Sequence, residues 1–559
     1  MKNPPLTPVV YYETFGRLLE AMEAYDQRPA ISFFARDRSL QTRSYSRLCL
    51  DVRRLAAALR HHGLEGKHVG LAGENSYHWL VAFLAVVTGG GTAVCVDVEQ
   101  PRSTIREMLS LADTEVLIAS PSSLPLCLPA SEGASPFLRT IVMEGAEGAV
   151  PAPAPDSELW GLAELLEQGD ALLGKEGFVP PALSPGRRAL IAFTSGTTSA
   201  SKPVSLSHRN LLTNACDSSA MVAAPTEVFT ALPCYHTYGL TCGVLGNLGR
   251  GAHVTINGSL KTTLPDLRES GALVTTTVPL LVESLYKYLW LCIERAGKKD
   301  RARRLLKRSR TLDALKLLPA PHRELRALCR EALGPLEMIV CGGAHLDKEL
   351  IENFRMFGVL SLQGYGITEC SPLVSVNREC CYDTATVGQV LPHCQVRLVD
   401  EEIWVRGDGV MEGYYNSPEL TAEVFEDGWF KTGDLGYIDE KGFLSITGRQ
   451  KNLIVFKNGK KVSPEKVEEQ LYRIPLVGDV IVYGAASGTS ADDVKLAVSI
   501  WPDPEASKGL APYEILNKLQ QEVDRINAAL PSYQQIQMIN IRDSEFSKTS
   551  TAKIKRHAL

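Results

Sequence analysis

The sequence predicts an α/β protein. A large N-terminal domain is expected to hold two α/β subdomains and a small β-barrel, followed by a small α+β C-terminal domain. Three observations carry this. From Phe15 to about Asp113, and again from Leu211 to about Gly364, amphipathic helical patterns alternate with short apolar runs. That alternation belongs to parallel sheets covered on both faces. From Thr386 to Gly448 glycine and aromatic residues rise and the strand patterns shorten; after Lys451 the chain turns to a compact mixture of strands and helices. The domains are therefore expected at 1–450 and 451–559. A length of 559 residues accommodates this. Hydrophobic content of 45% and charged content of 22% are those of an ordinary globular protein, and a net charge of −5 gives no bulk electrostatic case for nucleic acid.

Taken in order, Phe15–Met22 and Leu48–Arg60 read as amphipathic helices, and His68–Ala72 and Ala93–Val96 as strands. Trp79–Val98 is apolar enough to suggest a membrane span, but Gly89, Gly90 and Gly91 split it into halves far short of the ~20 residues a span needs. It reads as a core helix and strand. Ala231–Leu240 reads as a strand end running into a loop with His236, and Val278–Trp290 as a helix. The basic run Lys298–Arg310 reads as a solvated helical face; the other reading is a weak peripheral contact with anionic lipid. Glu402–Arg406 and Gly442–Gly448 read as barrel strands. Asn452–Phe456 and Asp479–Tyr483 read as strands bracketing a helix Pro464–Tyr472 with Ser463 as its N-cap. The thirteen cysteines are odd in number and form no C-x-x-C, so reduced thiols are expected. The N-terminus has no apolar secretory core, so a cytoplasmic location is expected, with the inner membrane face as the site of any lipid contact.

The stretch Leu190–His208 organises the rest. Leu190–Phe193 reads as a buried strand. Thr194, Ser195, Gly196, Thr197, Thr198, Ser199 and Ala200 form a small hydroxylic loop, Lys202 follows, and a helix begins after Ser207. Backbone N–H groups, hydroxyls and one cation suit a polyanion. The form G-x-x-x-x-G-K-[ST] is absent. An ordinary Ser/Thr-rich surface loop is the alternative reading of this stretch alone.

Four further stretches follow in order: Gln363-Gly-Tyr-Gly-Ile-Thr-Glu369, Trp429-Phe-Lys-Thr-Gly-Asp-Leu435, Gly448-Arg-Gln-Lys451 and Lys548-Thr-Ser-Thr-Ala-Lys-Ile-Lys-Arg556. With the first, they resemble the adenylate-forming superfamily of acyl-CoA synthetases, luciferases and adenylation domains, most of all the bacterial long-chain fatty acyl-CoA synthetases. The resemblance runs from about Thr14 to the C-terminus. It implies ATP-dependent activation of a carboxylic acid, a medium- or long-chain fatty acid in the leading reading, to an acyl-adenylate with loss of pyrophosphate. Transfer to CoA would follow.

The resemblance assigns roles residue by residue. Thr194, Ser195, Gly196, Thr197, Thr198 and Lys202 would hold phosphates. Tyr365, with Gly343, Ala344, Gly364 and Gly366, would receive the adenine side of ATP. Thr368 would donate to the α-phosphate, and Glu369 with Thr197 would hold Mg²⁺, a hard ion suited to a carboxylate, a hydroxyl and phosphates. Asp434 and Arg449 would fix the ribose. Lys451 would be the hinge of a mobile C-terminal domain and Gly459 would face pantetheine. His236, Val278 and Gly342 would border the acyl group. Lys553 would be the catalytic lysine bridging carboxylate and α-phosphate.

The sequence departs from the family's glycines at Ser199, Pro203, Ala552 and Glu401. Two other functions stay open: an acyl-AMP ligase loading a carrier-protein phosphopantetheine, and a catalytically weak nucleotide or acyl binder. An amino acid-specific adenylation domain is disfavoured, because no acid is clearly placed to receive an ammonium group.

Overall fold

The computed structural model describes residues 5–35, 37–128, 137–143, 159–194, 201–315, 322–456, 459–486, 494–548, 554 and 556. The chain forms two compact units, one of residues 1–395 with 405–430 and one of 396–404 with 431–559.

The first unit is α/β throughout. Among the described residues, one sheet runs Gln389–Val390, Leu373–Val376, Leu360–Gly366, Met338–Cys341, Val274–Thr277, Glu227–Thr230, His253–Ile256, Pro29–Phe34, Leu40–Ser44. Its six middle strands are parallel, and the edges are closed by antiparallel neighbours. The chain therefore returns its first strand beside a much later one, Ile31 opposite Val254. A second sheet runs Gly413–Tyr414, Pro203–Ser207, Arg188–Phe193, Thr92–Cys95, His68–Ala72, Val116–Ala119, Arg139–Val142, Leu159–Gly161.

Parallel strands need both faces covered, and these are largely buried even where threonine interrupts the apolar run, as in Val274–Thr277. Thr92–Cys95 and Val116–Ala119 are buried at every position. Helix Tyr77–Thr88 is buried on nearly all sides, so the apolar run around Gly89–Gly91 is a core helix and strand as expected. No described helix is long and apolar enough to cross a membrane. The helices Pro279–Arg295, Arg323–Leu333 and Lys348–Met356 bury Leu285, Leu328 and Phe354 in one apolar cluster with Phe229 and Ile339 of the sheet.

The basic run lies on helix Lys299–Ala314. Lys298, Lys299, Arg301 and Arg310 pair with Glu331, Glu294, Glu324 and Glu349. Arg303, Arg304, Lys307 and Arg308 face solvent. All thirteen cysteines are free thiols.

His208 opens the helix His208–Met221, whose N-cap is Ser207. Its ring is fully buried, and Nδ1 accepts the Phe15 N–H at 3.2 Å. Burial, and then the charge of Arg187, push its pKa down from 6.5 to about 4. The folded value lies below the unfolded one, so the stability this neutral ring contributes is complete above about pH 6.5 and is lost as pH falls toward 4. The shift corresponds to about 3 kcal/mol. Urea unfolding at pH 7 and pH 5 is expected to show this loss, and His208→Gln, which keeps an acceptor, to flatten it.

The second unit carries an antiparallel half-barrel on strands Cys394–Val399, Glu402–Gly407, Trp429–Ile438 and Leu444–Arg449. Its other sheet consists of Val477–Ala486, Val494–Pro502 and Ile536–Ile541, with helices Pro464–Leu471 and Pro512–Ala529. Leu471, Val498, Leu519 and Val523 lie in its apolar core.

Three local expectations are corrected. The strand placed at Ala231 ends at Thr230, and a π-helical turn, Tyr238–Leu245, follows the proline-containing turn. The strand expected over Asn452–Phe456 shortens to Ile454–Val455. Ser463 stands at the N-cap of Pro464–Leu471, but its hydroxyl donates to Glu465 Oε2 at 2.7 Å rather than capping backbone.

The Glu401 departure has a visible consequence. Val399 and Glu402 are joined by Asp400 (φ +49°) and Glu401 (φ +68°), a turn with two left-handed residues. Such turns favour Asn-Gly or Asp-Gly, because a β-carbon at positive φ costs about 1–2 kcal/mol. Glu401→Gly is expected to raise stability by about 1 kcal/mol, read as an upward shift of the urea midpoint.

Candidate active site

The strand Leu360–Gly366 ends in a tight 3₁₀ turn, Thr368–Cys370, which places Thr368 and Glu369 at a sheet end. The edge strand Gly413–Tyr414 reaches the same place by pairing with Pro203–Ser207, Tyr414 opposite Val204. The Tyr414 hydroxyl donates to Glu369 Oε1 at 3.0 Å, and Lys202 Nζ lies 4.9 Å from the centre of the Tyr414 ring. Burial and the neighbouring Glu369 carboxylate hold the Tyr414 phenol well above its ordinary pKa, so it remains a hydrogen-bond donor. The result is a cation on a ring face and a carboxylate at the ring's hydroxyl.

The ends of the hydroxylic loop are pinned to each other. Thr194 N–H donates to the Lys202 carbonyl and Lys202 N–H donates to Thr194 Oγ1, both at 3.2 Å. Ser195, Gly196, Thr197 and Thr198 lie outside the described residues, as does Ser199. Pro203 begins its strand, where the missing N–H costs no ladder bond. Its carbonyl accepts the Tyr415 N–H at 2.7 Å.

Next to this cluster an open cavity runs between the parallel sheet and the segments Ser218–Ala224 and Tyr238–Asn247. Gly342, Gly343, Gly364, Tyr365 and Gly366 line it together. A β-carbon at Gly366 would sit 2.2 Å from the Pro372 carbonyl oxygen, and Gly343 has φ +90°. Both positions therefore require glycine for the wall to form. The Tyr238 ring packs on Gly342, and its hydroxyl donates to the Val340 carbonyl at 3.1 Å. Ala344, Val278 and His236 do not line the cavity. Val278 is the N-cap of Pro279–Arg295 and lies beside Gly343, while His236 is half-buried against the Tyr235 ring.

In the second unit, Asp434 and Arg449 are cross-strand neighbours. Asp434 is buried, and Arg449 Nε is 2.8 Å from its Oδ1. Gly433 N–H donates to Glu402 Oε1 at 2.9 Å, which fixes the turn that delivers Asp434. Lys451 lies in the 3₁₀ turn Gln450–Asn452 that follows. Gly459 closes a turn at φ +76°, its N–H on the Phe456 carbonyl at 2.8 Å. Lys553 and Ala552 lie outside the described residues. Sequence reading missed Tyr414 and Tyr238. The adjacent aromatics of Gly413-Tyr-Tyr-Asn416 were the available signal for the first.

No group of three or more His, Cys, Asp or Glu side chains among the described residues could hold a metal ion by protein ligands alone. A single carboxylate at a strand end fits Mg²⁺ as it is held with substrate phosphates and water, through one or two protein oxygens.

Residues 18–415 match the family model described as AMP-binding enzyme, and residues 451–559 match that described as AMP-binding enzyme C-terminal domain. The long-chain-fatty-acid–CoA ligase FadD15 of Mycobacterium bovis is 28% identical over 552 residues, covering 90% of this chain and 88% of the relative. A long-chain-fatty-acid–CoA ligase of Escherichia coli O157:H7 is 30% identical over 400 residues, covering 68% and 63%. Among solved structures, the anthranilate CoA ligase AuaEII with anthranoyl-AMP gives a TM-score of 0.76 at 20% identity over 99% of this chain and 97% of that one. A Mycobacterium tuberculosis fatty acyl CoA synthetase gives 0.64 at 18% identity, over 97% and 96%. At such identities the solved structures establish the fold.

Proposed function

The chain belongs to the AMP-binding enzyme family, and from that premise we propose that it is an ATP-dependent acid–thiol ligase of the fatty acid–CoA ligase type. A carboxylate oxygen attacks the α-phosphorus of ATP, pyrophosphate leaves, and the acyl-adenylate then gives its acyl group to the thiol of CoA with release of AMP. The observation that carries this reading is the juxtaposition, in one unit, of Lys202, Tyr414 and Glu369 with an apolar cavity walled by Gly342, Gly343 and Gly366.

Displacement at phosphorus asks the protein to position two anions and to offset growing charge. In this reading Thr194 and Lys202 anchor the phosphate loop, Thr368 donates to the α-phosphate, and Tyr365 lies against the base. Glu369 would hold Mg²⁺, which would offset charge on the phosphate oxygens, and Tyr414 would fix the carboxylate's direction. Asp434 and Arg449 would meet the ribose, Lys451 would be the hinge of the 451–559 domain, and Lys553 would reach the reacting centre. The acyl chain would enter the cavity. The basic helix face is a solvated one in this reading, since four of its cations are committed to glutamates.

Tyr414→Phe is expected to lower the rate of AMP formation by about tenfold to a hundredfold, the range for a hydrogen bond to a charged group. It should also raise the Mg²⁺ concentration needed for half-maximal rate, which a purely structural loss would not.

The test of the reading is AMP and pyrophosphate release over carboxylic acids of increasing chain length, with and without CoA. Turnover that needs CoA and peaks at one length is expected. Release that ignores CoA would move the acceptor to a carrier-protein phosphopantetheine. That second reading draws on similarity to the adenylation–carrier didomain of a carboxylic acid reductase from Segniliparus rugosus, TM-score 0.75. ATP binding without AMP from any acid would sink the ligase reading in favour of a binder.

A further inference from the structure

The cavity beside Glu369 ends on a charge. Its walls are largely apolar, with Val228, Val274, Val340 and Leu373 among them, but Arg250 and Asn247 line it too. Strand register places its two ends. Val274 faces Met338, Thr276 faces Val340, and Gly342 follows two residues after Val340. From the level of Val274 to that of Gly342 is four residues, about 13 Å at ~3.3 Å per residue. Arg250 follows the short helix Gly246–Gly249, three residues before the strand His253–Ile256 begins. That strand, the strand Glu227–Thr230 bearing Val228 and the strand Val274–Thr277 all start at the end of the sheet away from Gly342 and Gly343.

The guanidinium is built in. Nη1 donates to the Ala224 carbonyl at 2.8 Å and Nη2 to the Pro225 carbonyl at 2.6 Å. Nε and Nη2 donate to Asn247 Oδ1 at 3.1 and 2.8 Å. Asn247 is itself oriented, its Nδ2 donating to the Cys242 and Gly243 carbonyls, both at 3.0 Å. Every acceptor of Arg250 is neutral, and no described carboxylate pairs with it. Burial pulls its pKa below the ordinary arginine value. A desolvated cation without a counter-charge is costly, and an arriving anion relieves that cost.

We propose that the acid activated here carries a second anionic group, a carboxylate first of all, at the far end of an apolar spacer, and that Arg250 receives it. The inference rests on reading this cavity as the acyl site. It makes Arg250 a specificity residue: the near carboxyl is activated at the Glu369 end, the spacer lies along Val340, Val274 and Val228, and the distal carboxylate meets the guanidinium. An unsubstituted fatty acid would instead press a methyl group against a half-buried charge.

The test is calorimetric binding to the full-length protein without ATP, using octanedioate and dodecanedioate against octanoate and dodecanoate. At least one diacid is expected to bind about tenfold or more tightly than its monoacid. Arg250→Gln should bring the pair to parity, weakening the diacid and relieving the penalty on the monoacid, and Arg250→Lys should keep part of the preference. Thermal unfolding of both variants reports whether they fold. Equal or weaker diacid binding by the unmodified protein at both lengths would overturn the inference. So would a loss of both acid classes alike in folded Arg250→Gln, which would make Arg250 a brace between Pro225 and Asn247. Diacid preference without AMP release from any acid would leave this inference standing and sink the ligase reading.

Discussion

Lys553→Ala is expected to slow acyl-adenylate formation by about 10²–10³-fold, the usual loss on removing one preorganised donor to developing charge. The check is single-turnover AMP formation with the best acid of the panel, and the variant's melting temperature should not change. Lys553 lies outside the described residues, but the positions around it are placed. Lys548 and Ile554 face each other in an antiparallel bridge. Lys548 Nζ lies 2.8 Å from Asp479 and 2.7 Å from Glu545, and Arg556 pairs with Glu468. Ion pairs of Lys548 and Arg556 on the second unit thus flank the lysine in sequence. If the variant turned over as fast as the parent, the assignment of Lys553 as the bridging cation would be wrong.

Arg556→Ala is expected to behave in the opposite way, losing stability first. Glu468 is buried, its Oε1 accepts the Val482 N–H at 2.7 Å, and Arg556 is its counter-charge. Removing one member of a buried pair leaves the other charge stranded, at a cost of about 3–5 kcal/mol. Arg556 keeps some exposure, so the lower end is expected. Burial already raises the Glu468 pKa against the pull of Arg556, and the variant removes that pull. A carboxyl whose folded pKa exceeds its unfolded one gains stability on protonation. The deficit should therefore be full at pH 7 and shrink as pH falls into the ordinary carboxylate range. Urea unfolding of the variant at pH 7 and near pH 4.5 checks this, and a deficit that grew with acidity would be contrary to it. Glu468→Gln combined with Arg556→Met should cost less than Arg556→Ala alone, because no charge is left stranded.

What the sequence disclosed, and what it did not, follows from how local each signal is. His68–Ala72 was legible residue for residue because a buried parallel strand is a short unbroken apolar run. The helix Tyr45–His61 was legible from its periodicity, and the loop ends at Thr194 and Lys202 from hydroxyls gathered after a strand. Tyr414 was not legible as a partner of Glu369. The two are 45 residues apart and meet only because Gly413–Tyr414 pairs with Pro203–Ser207. Arg250 reads in sequence as an ordinary surface cation after a short helix, and only the cavity shows what surrounds it. The strand misjudged at Ala231 has the right hydrophobicity, but the chain turns through Pro233, and apolar content alone does not distinguish a strand from the packed turn after it.

The pairing of Ile31 with Val254 sets a timetable for synthesis. The strand Pro29–Phe34 emerges early, but its partner His253–Ile256 is made 223 positions later. At ~5–20 residues per second that is a wait of roughly 10–45 s, during which the hairpin of Pro29–Phe34 with Leu40–Ser44 has one unsatisfied edge on its first strand and no sheet to join. Meanwhile the strands from His68–Ala72 to Pro203–Ser207 are complete and can assemble with one another. The order of birth is thus the reverse of the order of docking for the first strand. Translation speed through residues 208–253 and chaperone cover for the segment 29–44 become determinants of yield, and a circular permutant opened ahead of Pro29 would have to solve a different scheduling problem.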